Sequence, residues 1–171
     1  ALLRKYSAVF TSEYLKYEQA VAEGRAKSFY DPNHGASHLA TTDGGGWWEY
    51  LELAEGGRWR EDLCSQYFVW TCSIFKLLPE VNSGMHLSGC TGLCNPAKAR
   101  VGELGLGPPT FYRLGAGRHI PTHQGPTNHR LKCHLAVQTP HPAGFGAWST
   151  SLTVGGTRLE VEGGDVWCFD D

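Results

Sequence analysis

No apolar run in this chain of 171 residues approaches the roughly 20 consecutive positions that a bilayer-spanning helix needs, so no stretch reads as a membrane segment. An excess of positive charge is also missing. Fifteen Lys and Arg stand against 17 Asp and Glu, a formal net charge of −2; no long-range field draws the chain to a phosphate backbone, and nucleic acid is not an expected partner. Charged residues make up only 19% against 41% hydrophobic ones, which excludes the disordered class. There is no internal repeat. What the chain has in quantity is glycine, 22 residues, with 9 prolines, a density of turn formers that suits many short strands better than a helix bundle. The length fits a single domain with one sizeable core.

Along the chain, Leu2, Leu3, Tyr6, Val9 and Phe10, then Tyr14, Leu15, Tyr17, Val21 and Ala22, recur at helical spacing, predicting one or two amphipathic helices within residues 1–27, with Thr11, Ser12 and Glu13 available as a break. Residues 28–46 carry Asp-Pro-Asn-His-Gly and Thr-Thr-Asp-Gly-Gly-Gly and read as a long loop. Trp47 to Leu53 reads as a strand, Gly56-Gly57 as a turn, Thr71 to Val81 as a helix and Cys90 to Pro109 as a second loop. Five strands follow, at Thr110–Leu114, Leu131–Thr139, Ser149–Val154, Thr157–Val161 and Asp165–Phe169, with Gly155-Gly156 the sharpest hairpin signal. Helices followed by a strand meander predict a mainly β fold with N-terminal helices, packed on one side of a barrel or jelly roll. Both ends of the chain, Ala1 inside a helical pattern and Asp171 just after an apolar strand, are expected to be cut.

The residues that carry chemistry are cysteines and histidines. Cys64 and Cys72, eight positions apart, either close a short disulfide loop or stay as two buried thiols. Cys90 and Cys94 suit half a zinc site or a second bridge, and Cys133 and Cys168, inside predicted strands, read most simply as core residues. Four of the 8 histidines crowd together, at 119, 123, 129 and 134. Arg130, Lys132 and His134 fall at every second position of one strand, and a period of two sends all three to one face. Such a face is costly unless it meets anions, such as the carboxylates of a small ligand.

Thr122-His123-Gln124-Gly125-Pro126-Thr127-Asn128-His129-Arg130-Leu131-Lys132-Cys133-His134-Leu135 resembles the histidine signature of the aspartyl/asparaginyl β-hydroxylase family. Gly46-Trp47 through Gly57-Arg58 to Cys64, Thr71-Cys72-Ser73-Ile74-Phe75, and Gly163 to Asp171 resemble three further segments of that family in the same order, so the likeness covers about residues 30–171. It implies a double-stranded β-helix, a jelly-roll cousin of the cupins, with residues 1–27 a helical segment and 28–171 the dioxygenase domain lacking its last strands. It implies Fe(II) and 2-oxoglutarate as cofactors, and hydroxylation of Asp or Asn side chains in a protein or peptide substrate.

Residue by residue, the resemblance assigns His123 to iron, Lys132 and His134 to oxoglutarate, Tyr112 and Leu114 to the lining of its pocket, and Arg130 and Glu49 to the substrate. It also tips the open reading of Cys64 and Cys72 toward a disulfide, which would place the chain in the secretory pathway or another oxidising compartment. Gly125 stands where most such enzymes put a carboxylate ligand, as it does throughout this family. Two positions depart from the family pattern. Lys132 replaces the usual Arg, a point charge in place of a bidentate fork, and Tyr112 replaces a small hydroxyl residue, narrowing the pocket. A second iron-binding His and an oxoglutarate-gripping Arg are expected beyond Asp171, and the chain as it stands is expected not to turn over oxoglutarate. A halogenase is the variant within the enzyme class; the alternatives outside hydroxylation are an inactive domain serving as a scaffold or subunit of a larger complex, and a small-molecule-binding cupin.

Overall fold

Phe10, Glu13, Tyr14, Tyr17 and Ala20 recur every three or four positions, and all five are buried, the stripe that an amphipathic helix turns inward. In the computed structural model, which describes residues 2–28, 48–55, 58–78, 109–115, 117, 119–122, 131–140 and 149–170, that stripe lies on a helix α2, Ser7–Ala22, preceded by a single turn α1, Leu2–Lys5. The break falls at Tyr6 and not at Thr11 to Glu13, through which α2 runs uninterrupted. Glu13 is buried on the same stripe as Phe10 and Tyr14, so it packs inward in the middle of α2 and does not break it.

Strands β1 (Trp48–Glu52), β2 (Ala54–Glu55) and β3 (Arg58–Trp59) follow, then helices α3 (Glu61–Cys64) and α4 (Val69–Lys76), and strands β4 (Thr110–Leu114), β5 (Leu131–Leu135), β6 (Ser151–Val154), β7 (Thr157–Glu160) and β8 (Val166–Asp170). The helix expected from Thr71 thus begins two residues earlier, and its last turn closes at Leu77, whose N–H bonds to the Ser73 carbonyl. The long loops read at 28–46 and 90–109 lie outside the described residues, save their ends.

Among the described residues all pairing is antiparallel and two-stranded: β1 with β4, β2 with β3, β5 with β8, and β6 with β7. The described residues thus combine helices with small antiparallel sheets, and no closed barrel is seen among them. The strand read as Leu131–Thr139 is ladder only to Leu135, because beyond Ala136 the chain leaves the pairing at the Gly163-Gly164 turn, where the Gly164 N–H bonds to the Ala136 carbonyl. The β6–β7 hairpin lies where the glycine pair predicts it, with Gly155 and Gly156 both at positive φ, 55° and 80°, as a tight two-residue turn of the primed type requires.

Two compact units emerge, Ala1–Leu15 with Thr122–Asp171, and Lys16–Pro121. In the second, the core is aromatic. Tyr17 is fully buried with its ring 5.4 Å from Tyr67 and 5.3 Å from Phe68, and Phe68 lies 5.1 Å from Phe111. The Tyr17 hydroxyl donates to the Lys27 carbonyl at 2.9 Å, so the buried polar tip is satisfied. Leu51, Leu53, Leu63 and the Cys64–Cys72 disulfide complete this core. No helix among the described residues is long and apolar enough to cross a membrane.

Candidate functional site

Antiparallel register decides what β5 can present. Lys132 pairs with Phe169, Cys133 with Cys168, and His134 with Trp167, so the period of two puts Lys132, His134, Trp167 and Phe169 on one face and both cysteines on the other. All four residues of the first face are half-buried, whereas Cys133 and Cys168 are exposed. The His134 imidazole lies nearly parallel to both neighbouring rings, 5.6 Å and 4° from Trp167 and 5.2 Å and 6° from Phe169. The result is a lysine and an imidazole on one face of the ladder, the imidazole stacked against two aromatic rings.

The reading of Cys133 and Cys168 as core residues is overturned: they are bridged, with Cα atoms 4.0 Å apart. The Ala136 N–H donates to the Asp165 carbonyl, which makes 136/165 a hydrogen-bonded pair and, three positions along, 133/168 a pair of the closer, non-hydrogen-bonded kind. Two cysteines opposite each other at such a site are within bridging reach. The sequence carried the signal, one cysteine in each of two strands, but without their register it could not be read. Cys64 and Cys72 are joined as well, Cα to Cα 5.6 Å.

In the other unit, β1 and β4 pair Glu49 with Arg113, Tyr50 with Tyr112, and Trp48 with Leu114. Tyr112 and Leu114 share one face and are 51% and 41% exposed, so both side chains are open to contact. Arg113 points to the opposite side, where its Nη1 lies 3.0 Å from Oε2 of Glu18 on α2; sequence periodicity alone does not reveal this pair. His123, Arg130, Cys90 and Cys94, and the side chain of Glu49, lie outside the described residues.

For a dicarboxylate the donor set fits: Lys132 and His134 form a face able to pair with carboxylate oxygens, partly sheltered from water, where such pairing is stronger. For iron, the one ligand the motif names is His123, and the described residues hold no group of three or more His, Cys, Asp or Glu side chains able to take a metal.

No curated protein matches the chain closely enough to count as a relative. The aspartyl/asparaginyl β-hydroxylase family matches residues 6–171, from the last residue before α2 to the end of the chain. The match extends the likeness read from residue 30 onward back through α2, and takes in both β5 and β8. With nearly its whole length matched, this chain belongs to the aspartyl/asparaginyl β-hydroxylase family.

Proposed function

We propose that the chain is an Fe(II)/2-oxoglutarate-dependent dioxygenase domain that hydroxylates Asp or Asn side chains of a protein or peptide. The observation that carries this reading is the placement of Lys132 and His134 on one half-buried face of β5, within a chain of the hydroxylase family. When bound, iron and 2-oxoglutarate supply the oxidising power, dioxygen and the keto acid yielding succinate, CO2 and one oxygen atom for the substrate's C–H bond. In this reading residues 28–171 form the dioxygenase domain on a double-stranded β-helix, preceded by the helical segment 1–27.

The chain's own part is binding and orientation. Lys132 neutralises a carboxylate of the keto acid, and His134, held flat by its two ring neighbours, donates to it. His123 is assigned to the metal, Tyr112 and Leu114 to the pocket wall, and Arg130 and Glu49 to the substrate. Fixing the keto acid in one orientation replaces a search in solution by a preset geometry, which is where a protein contributes most to cofactor chemistry. Two disulfides, Cys64–Cys72 and Cys133–Cys168, support an oxidising compartment as the place of work.

The test is iron-dependent succinate formation from 2-oxoglutarate with an Asp-containing peptide, using the protein at its full natural length. Turnover that is lost in Lys132→Met supports the reading. No turnover, with oxoglutarate failing to bind, overturns it in favour of an inactive domain kept as a scaffold.

A further inference from the structure

We propose that the Cys133–Cys168 disulfide is a positioning element, locking the β5–β8 register so that Lys132 and His134 stay on the ligand face. The inference rests on the reading of those two residues as oxoglutarate contacts. The bridge joins the third of five paired positions in the ladder, with Lys132/Phe169 on one side and His134/Trp167 on the other. The four residues of the Lys132 and His134 face are only half-buried and the cysteines opposite are exposed, so burial alone pins the register less firmly than a fully buried face would. A slip of one residue would carry every side chain of β5 to the opposite face, taking Lys132 and His134 off the side of the ladder that carries Trp167 and Phe169. Covalent pairing of residue 133 with 168 forbids that slip.

Burial separates this role from packing. Cys64 and Cys72 are 4% and 1% exposed, and their bridge is part of a core. Cys133 and Cys168 are exposed, on the side of the ladder turned away from Lys132 and His134; the bridge fills no interior there. Of the two bridges among the described residues, it is the one whose exposure lets a reductant reach it in the folded protein.

The experiment compares the wild type with two double variants, Cys133→Ser with Cys168→Ser, and Cys133→Val with Cys168→Val. The valines offer a β-branched cross-strand pair that restores the register without a covalent bond. Two quantities are read: the dissociation constant for 2-oxoglutarate with Fe(II) under anaerobic conditions, and hydrogen-exchange protection of the β5 and β8 amides. The serine variant is expected to bind about tenfold more weakly, a change of about 1.4 kcal/mol, and to lose protection along the ladder, with both recovered in large part by the valine variant. Mild reduction of the folded wild type, leaving Cys64–Cys72 closed, should reproduce the serine result and stands in for it if that variant fails to fold. Unchanged protection in the serine variant or the reduced protein overturns the proposal, whatever the affinity. If the wild type binds no oxoglutarate, the functional reading falls, and amide protection alone decides whether the bridge holds the register.

Discussion

The imidazole of His134 and the indole of Trp167 face each other across the β5–β8 ladder, centroids 5.6 Å apart and planes 4° from parallel. Stacking of this kind contributes about 0.5–1.5 kcal/mol beyond burial. His134→Ala is therefore expected to destabilise the protein by about 1 kcal/mol, to weaken the near-UV circular dichroism, and to reduce oxoglutarate affinity. His134→Phe separates the effects: it keeps the rings stacked and loses the ring N–H, so stability and dichroism should hold while affinity falls. Equal affinity in wild type and His134→Phe would remove His134 from the ligand contacts.

The turn between β6 and β7 makes a sharper prediction. Gly155 and Gly156 hold φ of 55° and 80°, and a side chain at either position would meet open space. Gly156→Ala thus costs backbone conformation alone, about 1–2 kcal/mol, whereas a D-alanine at the same position, introduced by semisynthesis, should cost nothing. Denaturant midpoints of the two forms measure the difference.

How much of this was legible beforehand depends on the range of the interaction. The Gly155-Gly156 hairpin and the β4 limits, Thr110–Leu114, were readable because each is fixed by a few neighbouring residues. Lys132 and His134 were placed on a common face because alternation follows from the pleat and needs no partner. The Cys133–Cys168 bridge, the stacking of Trp167 and Phe169 on His134, and the Arg113–Glu18 pair were not. Each joins residues at least 33 positions apart, and only the pairing of distant elements brings them together. The expected barrel is of the same kind: a strand pattern gives the strands and leaves their closure to long-range pairing, and among the described residues each ladder has two strands.

Asp62 gives a pH prediction. A side-chain hydrogen bond from Arg60, 2.9 Å between Nη2 and Oδ2, holds its carboxyl below the ordinary carboxylate range. A lowered folded-state value means that the carboxylate's contribution to stability is complete above the unfolded pKa, near 4, and is lost as pH falls through the folded value. With Asp62 largely exposed, the effect on stability is small, so the direct measurement is an NMR titration of the side-chain carboxyl. Arg60→Gln should move its midpoint upward into the ordinary range; an unmoved midpoint would show that Arg60 is not the cause.

Removing the buried bridge in unit Lys16–Pro121 should be costly. Replacing Cys64 and Cys72 together by Ala frees an eight-residue loop in the unfolded chain, which corresponds to about 2–3 kcal/mol, and leaves space in the core beside Leu63 and Phe68. Urea denaturation of the double variant measures the loss. A drop below about 1 kcal/mol would show that the loop is held as firmly by its helical contacts as by the bond.

The two disulfides among the described residues also set an order for oxidative folding. Cys64 and Cys72 are separated by 8 positions and Cys133 and Cys168 by 35, so closing the longer loop costs about 1 kcal/mol more chain entropy before any contact is gained. The short bridge forms early from a nearly random chain. The long one waits for β5 and β8 to find each other, and its closure records in a covalent bond that the ladder has already paired correctly.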